Sequence, residues 1–203
     1  NRGAVMINGY RHNIDQMQAL KRRYGGQLVE KAFGFALDGT QRKAASHISR
    51  DIRSTYSIQV AQVKRSLQIQ RARRDARRAL IYTGRRIPLG QFKPNSRRVR
   101  TVATSVRGKK FRTHRRIGTV MVKRGRRIVT PHGWHAKGHI LRRADRDDPQ
   151  SPPRIQFGPS IPGMVSHHSV IDSAQAMVRE DLPRQFSGRL DYLLSRQGGA
   201  RGR

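Results

Sequence analysis

The chain has 203 residues, with 44 Lys and Arg against 12 Asp and Glu, which gives a formal net charge of +32. Cysteine is absent, which excludes a disulfide framework and a thiolate zinc site. No apolar run reaches the roughly 20 residues that span a bilayer, and the N-terminus carries no apolar signal segment, so we expect a soluble protein made inside the cell.

The first part of the chain predicts helices. Residues 12–24 and 27–54 carry apolar side chains at three- and four-residue steps, and Gly25 and Gly26 mark the break between the two segments. Ser57 is expected to cap a short third helix. The residues of that helix expected to face inward are Ile58, Ala61 and Val63.

From residue 67 onward the pattern changes to the alternation that is typical of strands. In several segments apolar and basic residues alternate, as in Val120-Met121-Val122-Lys123. A sheet of such strands can bury one face and offer the other to phosphate. The predicted strands are 67–70, 79–82, 99–106, 117–122, 126–130 and 139–142.

The C-terminal part contains a segment rich in proline and a further helix. Residues 144–163 hold five prolines and an acidic cluster, which predicts a linker or an extended arm. Residues 164–195 keep a helical apolar stripe, in which Pro183 should kink the helix or split it in two. The predicted class is α+β. Its regions are N-terminal helices (1–66), a basic antiparallel β region (67–143), the arm or linker (144–163), and a C-terminal kinked helix with a mobile tail from Gly198 (164–203).

The charge is concentrated in the middle of the chain. Residues 64–143 hold 26 Lys and Arg and a single acidic residue, Asp75. A merely solvated face usually carries interspersed carboxylates, whereas nucleic-acid-binding surfaces are strongly positive. An anionic membrane or another acidic polymer is the alternative; we expect nucleic acid, and no membrane partner. Aromatic residues are few, so the segment is not typical of a base-stacking platform.

Basic side chains in this region are the candidate contacts to the nucleic-acid backbone. Arginine predominates, and its planar guanidinium matches the geometry of phosphate oxygens. Because we find no motif that reads bases, we expect binding to be independent of sequence. The candidates are Arg71, Arg73, Arg74, Arg77, Arg78, Arg85, Arg86, Arg97, Arg98, Arg100, Lys109, Lys110, Arg115, Arg116, Lys123, Arg124, Arg126 and Arg127.

Two clusters invite a metal or a catalytic interpretation. Three imidazoles can hold zinc, but no local carboxylate or thiolate joins His132, His135 and His139, so we expect loop histidines. The carboxylates of Asp145, Asp147 and Asp148, with Asp172, could bind Mg²⁺ as in a nuclease. In a proline-rich arm we expect them instead to cap a turn or to pair with arginines, either nearby (Arg142, Arg143, Arg146) or in another subunit. We predict no enzyme activity, no cofactor and no metal site.

Three strings carry a resemblance to a known family. They are Ile52-Arg53-Ser54-Thr55-Tyr56 with the strand region from Lys64 to Ala72, the string from Gly84 to Phe92, and the string from Phe157 to Met164 followed by Leu182-Pro183. With the order of elements, they resemble the minor tail protein Z family, the tail completion proteins of lambda-like long-tailed phages.

The resemblance implies a structural virion protein at the head-proximal end of the tail or in the neck, made in the host cytoplasm. It further implies a homo-hexameric ring that contacts double-stranded genomic DNA and supports head–tail joining and DNA delivery. The implied partners are tail tube or terminator proteins and head–tail connector proteins. The alternatives are a ribosomal or other RNA-packing protein and a metal-dependent nuclease.

Overall fold

The computed structural model describes residues 5–6, 14–71, 78–100, 104–106, 109–111, 114–130, 132–145, 148 and 150–200. The predicted α+β class is confirmed, because helices are combined with strands that pair in antiparallel fashion. Two compact units are present. Unit 1 comprises Asn1–Asp51, Lys64–Thr83 and Pro162–Arg203; unit 2 comprises Ile52–Val63 and Gly84–Ile161. Neither unit coincides with one of the four expected regions, because each gathers segments that are distant in sequence.

Helices dominate unit 1. Two of them come from the N-terminal part of the chain, α1 (Ile14–Tyr24) and α2 (Gly26–Thr55), and one from the C-terminal part, α5 (His168–Ala200). The last turn of α2 belongs to unit 2. The apolar stripe predicted for α2 is confirmed, since its buried residues recur at three- and four-residue steps, namely Val29, Ala32, Ala36, Ala44, Ile48 and Ile52. The first three pack in one core with Leu182, Phe186 and Leu190 of α5.

Helix α5 differs from its expected form. It begins at His168 after a separate short helix, α4 (Ile161–Val165), and it runs unbroken through Pro183 to Ala200. Of the two alternatives expected at Pro183, a kink or a split, the split does not occur. The buried Leu182 and Phe186 on either side of Pro183 pack into the core, and this burial outweighs the loss of one backbone hydrogen bond. Residues 198–200, expected in a mobile tail, are helical; residues 201–203 lie outside the described part.

A small sheet completes unit 1. Strands β1 (Val5–Met6), β2 (Leu67–Arg71) and β3 (Arg78–Tyr82) lie in the order β1-β3-β2, which confirms the two predicted strands at 67–70 and 79–82. The buried side-chain amide of Gln41 donates to the carbonyl oxygens of Gln70 (3.1 Å) and Ala79 (3.0 Å). One α2 residue therefore holds both strands of the β2–β3 pair.

The short third helix starts later than expected. Helix α3 spans Val60–Ser66, so Ser57 is not its N-cap, and the Gln59 N–H donates instead to the Gln62 side chain at 3.3 Å. Ile58 and Val63 are buried as predicted, whereas Ala61 is exposed. The prediction failed because Ser57 takes part in strand-type pairing: its N–H donates to the Val122 carbonyl at 2.9 Å.

Unit 2 is built from short antiparallel strands. The strands are β4 (Arg86–Pro88), β5 (Asn95–Arg100), β6 (Thr104–Val106), β7 (Lys109–Phe111), β8 (His114–Lys123), β9 (Arg126–Val129), β10 (Trp134–Ala136), β11 (His139–Arg143), β12 (Pro153–Ile155) and β13 (Phe157–Ser160). They form the sheets β5-β8-β9 and β10-β11-β12 and the pairs β13-β4 and β6-β7. The buried residues of unit 2 include Ile87, Phe92, Val120 and Ile140.

The predicted strands at 117–122, 126–130 and 139–142 correspond to β8, β9 and β11, but two other predictions fail. The segment 99–106 is not one strand, since β5 and β6 belong to different sheets. The segment 144–163, expected to be a linker or an extended arm, instead contributes two paired strands: β12 pairs with β11, and β13 pairs with β4. Two of its five prolines lie in strands: Pro153 opens β12 and Pro159 lies in the two-stranded pair of β13 and β4, and both places tolerate a residue without an N–H.

Candidate nucleic-acid interface

The clearest group of candidate residues lies at the tip of the β8–β9 hairpin. The turn between the strands is Arg124-Gly125, and Gly125 adopts a φ of +75°, which glycine tolerates without steric cost. Lys123 and Arg126 are opposite each other on either side of the turn. Together with Arg124 and Arg127 they form the hairpin tip, and all four cationic side chains are exposed.

Backbone hydrogen bonds hold the hairpin tip in place. The Arg124 N–H donates to the Thr55 carbonyl at 2.8 Å, and Tyr56 forms an antiparallel bridge with Lys123. Thr55 ends helix α2, whose last carbonyls lack partners within the helix, so the turn satisfies one of them. Because Tyr56 is also buried, the cations project from a fixed backbone, and little conformational entropy of the main chain is lost on binding.

The charge around the hairpin tip is not compensated locally. Residues 84–144 hold 19 Lys and Arg and no Asp or Glu. Within the described part of the chain, no carboxylate contacts Lys123, Arg124 or Arg126. Arg127 is held by hydrogen bonds from its Nη1 to the Lys93 carbonyl (3.3 Å) and to Thr119 Oγ1 (3.5 Å). The hairpin tip is therefore a fixed, positively charged surface that attracts anions.

Arg85 and Arg86 form a second exposed pair. Arg86 opens β4, where it is opposite Ser160 of β13, and the next residue, Ile87, is buried. The period of two along a strand thus directs Ile87 into the core and Arg86 to the solvent. Neither arginine contacts a carboxylate among the described residues. Both remain candidate phosphate contacts.

Several candidates lie on β5 and β8, where the strand register is described. Arg98 is opposite Arg116, Arg100 is opposite His114, and Val99 is opposite Arg115. Arg97 on β5, and Lys109 and Lys110 on β7, are placed by the backbone register in the same way.

Arg78 does not fit the prediction. Its Nε lies 2.8 Å from Asp38 Oδ1, and the two side chains are 16% and 23% exposed. An arginine that is mostly buried against a carboxylate stabilises unit 1 and is not available to phosphate. Arg71 lies on β2, opposite Arg78 of β3, and only the backbone of Arg71 is described. The candidates Arg73, Arg74 and Arg77 lie outside the described residues.

The histidine cluster does not form a metal site in the part of the chain that is described, where no group of three potential ligands comes together. His132 and His135 are exposed. His139 is partly buried, and its Nδ1 has no hydrogen-bond partner in the described part of unit 2.

One carboxylate of the acidic cluster, that of Asp148, caps a turn as expected, and Asp145 joins the same turn through its backbone. Asp148 Oδ1 accepts a hydrogen bond from the Gln150 N–H at 2.8 Å, and Ser151 Oγ accepts one from the Asp145 N–H at 2.7 Å. Asp147 lies outside the described residues. The pattern did not predict a contact beside this turn, in which the Arg143 guanidinium lies over the Trp134 ring at 5.9 Å and also donates to the Ser151 carbonyl at 2.9 Å.

Among the described residues, no helix combines the length and apolar character needed to cross a membrane. Comparisons with protein-family models, with curated proteins and with solved structures find no match to this chain.

Proposed function

We propose that this protein is a structural DNA-binding protein, and that unit 2 contacts the phosphate backbone of a double-stranded molecule without reading its bases. The observation that carries the proposal is the run of residues 84–144, which has 19 cations, no acidic residue and a fixed hairpin tip of exposed side chains. Surfaces of this kind bind DNA through charge neutralisation and counterion release.

We further propose that the protein acts at the head-proximal end of a phage tail as a tail completion protein. This part rests on the three strings that resemble the minor tail protein Z family. Two of them lie together in unit 2, where Arg86–Pro88 of one string pairs with Phe157–Ser160 of the other. Gly158 packs so closely on Phe92 that a Cβ at Gly158 would lie 2.8 Å from the ring. Two separate strings thus belong to a single structural element, which supports their use as one motif.

In this role, copies of the chain form a ring whose basic surfaces surround the DNA path, beside tail tube or terminator proteins and connector proteins. The absence of local carboxylates suits such a position, because DNA supplies the missing negative charge. An RNA-packing protein would use the same charge, and its affinity would favour RNA over duplex DNA.

The salt dependence of duplex DNA affinity tests the DNA-binding part. The variant Lys123→Gln/Arg124→Gln/Arg126→Gln should reduce the slope of log affinity against log salt by up to about 2.7, at about 0.9 for each phosphate that is no longer neutralised. The matched control removes the same charge from exposed sites in unit 1 through Lys31→Gln/Arg179→Gln/Arg189→Gln and should retain the slope. Equal effects of the two variants would show that net charge alone governs binding.

Imaging of assembled particles tests the tail role. An antibody or gold label on this chain should mark the head-proximal end of tails, and tails assembled without the protein should fail to join heads. A label that follows ribosomal subunits, or that is absent from tails, would contradict the proposal.

A further inference from the structure

A second cationic feature lies in unit 1, on a face of α2 that the apolar pattern did not single out. A pocket of about 370 Å³ lies between α2 and α5. Arg42, Lys43, Ser46, His47 and Arg50 line its α2 side. Arg42, Ser46 and Arg50 are spaced by four residues and therefore share one face of the helix. Asp181 of α5 lies opposite.

The carboxylate of the pocket is already neutralised. Asp181 accepts hydrogen bonds from Lys43 Nζ at 2.6 Å and Thr40 Oγ1 at 3.1 Å. Burial raises the pKa of Asp181, but the hydrogen bonds from Lys43 and Thr40 and the charge of Lys43 outweigh it, so this pKa lies below its ordinary value. Asp181 is therefore ionised at neutral pH and balanced by Lys43.

Arg42 and Arg50 are left with uncompensated charge. Both side chains are exposed, and neither contacts a carboxylate among the described residues. Their Cα atoms are two helical turns apart, or about 12 Å along the axis, with Ser46 between them. Two arginines at this spacing can direct their guanidinium groups at one tetrahedral anion from both sides.

A catalytic interpretation of the same pocket fails on geometry. His47 Nε2 lies 2.8 Å from Ser173 Oγ and 3.3 Å from Asp51 Oδ2. A nucleophile triad needs the serine and the carboxylate on different ring nitrogens, whereas here both are near Nε2. His47 therefore joins α2 to α5 and does not activate Ser173.

We propose that this pocket binds a phosphate group between Arg42 and Arg50. The site shares no residue with the hairpin tip of unit 2 and does not depend on the proposed DNA-binding function. The chemistry is the same for a free phosphate and for a phosphate of a nucleic-acid backbone. Arg42 and Arg50 bring two uncompensated positive charges to the pocket, and Lys43 neutralises the carboxylate of Asp181, so the pocket favours an anion.

Titration of the full chain with inorganic phosphate and with pyrophosphate, at constant ionic strength in chloride, tests the site by calorimetry and by thermal stabilisation. The wild type should bind saturably. Arg42→Gln/Arg50→Gln should weaken binding at least tenfold. Its matched control, Arg179→Gln/Arg189→Gln, removes the same charge from exposed positions on α5 and should bind within twofold of the wild type.

Two further variants distinguish the effect of guanidinium geometry from that of charge, and the unit 1 site from the hairpin tip. Arg42→Lys/Arg50→Lys keeps the charge and the fold but loses the planar fork, and we expect binding several-fold weaker than in the wild type. It also serves if the glutamine variant fails to fold. The hairpin variant Lys123→Gln/Arg124→Gln/Arg126→Gln should bind the small anions as the wild type does, whatever its affinity for DNA.

The proposal is overturned if both double-glutamine variants lose binding equally, or if Arg42→Gln/Arg50→Gln binds phosphate normally. A short duplex that displaces the small anion would assign the phosphate to nucleic acid, and a duplex that leaves it bound would assign it to a small ligand. Either of these results supports the site.

Discussion

Gly90 is a point of close backbone contact in unit 2, and its replacement by alanine tests the packing there. A Cβ at this position would overlap the Gly138 carbonyl oxygen, and it would lie 2.9 Å from the Gly138 carbonyl carbon and 3.1 Å from the His139 Cα. These atoms belong to the backbone and cannot rotate away as a side chain can. Gly90→Ala should therefore displace the turn before β11.

The loss in free energy of unfolding caused by Gly90→Ala can be estimated. Overpacking in a closely packed region typically costs about 1–3 kcal/mol, and a backbone obstacle favours the upper part of that range. With a urea m-value of about 1–3 kcal/mol per molar, the midpoint for unit 2 should fall by about 1–2 M.

The assay can observe unit 2 by itself. The chain has one tryptophan, Trp134, and it lies on β10 of unit 2, so its fluorescence reports the unfolding of that unit. Circular dichroism at helical wavelengths mainly reports unit 1, which holds the long helices. Gly90→Ala should lower the Trp134 midpoint more than the helical midpoint.

Gly34→Ala is the matched control, with an effect of opposite sign. Gly34 lies inside α2, and nothing is within 4 Å of the position that its Cβ would take. Alanine should therefore stabilise the helical transition by about 0.5–1 kcal/mol. If Gly90→Ala left the Trp134 transition unchanged, the close approach of Gly90 and Gly138 would be refuted.

Further predictions concern three residues of unit 1. Arg78→Gln should reduce the stability of the helical transition by about 1–2 kcal/mol, because it removes the ion pair between Arg78 and the partly buried Asp38. It should leave the salt slope of DNA binding unchanged, and a reduced slope would return Arg78 to the candidate phosphate contacts. The hydroxyl of Tyr82 is buried without a hydrogen-bond partner in the described part of unit 1, so Tyr82→Phe should stabilise the protein by about 1 kcal/mol at neutral pH in urea unfolding. Burial raises the pKa of Tyr82 from 10.0 to about 12, so the neutral form is favoured in the folded state and the wild type should lose stability as pH rises from 10 through 12, a loss that Tyr82→Phe should not share. The pKa of Asp181 is lowered in the folded state, so the ionised carboxylate stabilises the fold above its ordinary pKa, and this stabilisation is lost as pH falls through the folded pKa. The difference in urea midpoint between the wild type and Asp181→Asn should therefore shrink over that acid range. A difference that stays constant with pH would contradict the role of Lys43.

Features encoded by neighbouring residues were predictable. The three- and four-residue steps that include Val29, Ala32 and Ala36 fix one buried face of α2, and the alternation around Val120 predicts β8. Both patterns depend on the repeat of a single helix or strand, which a short window of sequence contains in full. The positive charge of the middle of the chain was also predictable, because net charge depends only on which residues are present and not on which residues contact one another.

Features that depend on distant partners were not predictable in this way. Pro183 stays within one helix because Leu182 and Phe186 pack on residues about 150 positions earlier, and residues 153–160 become strands because β11 and β4 lie beside them. In the sequence, Arg78 has the same basic context as Arg73, Arg74 and Arg77, and only the tertiary structure brings Asp38 next to it. The α2 cations form a pocket only when α5 supplies the opposite wall and Asp181 takes up the charge of Lys43. Local periodicity specifies which face of an element is apolar, but the residue that meets a given side chain is set by how the chain folds back on itself.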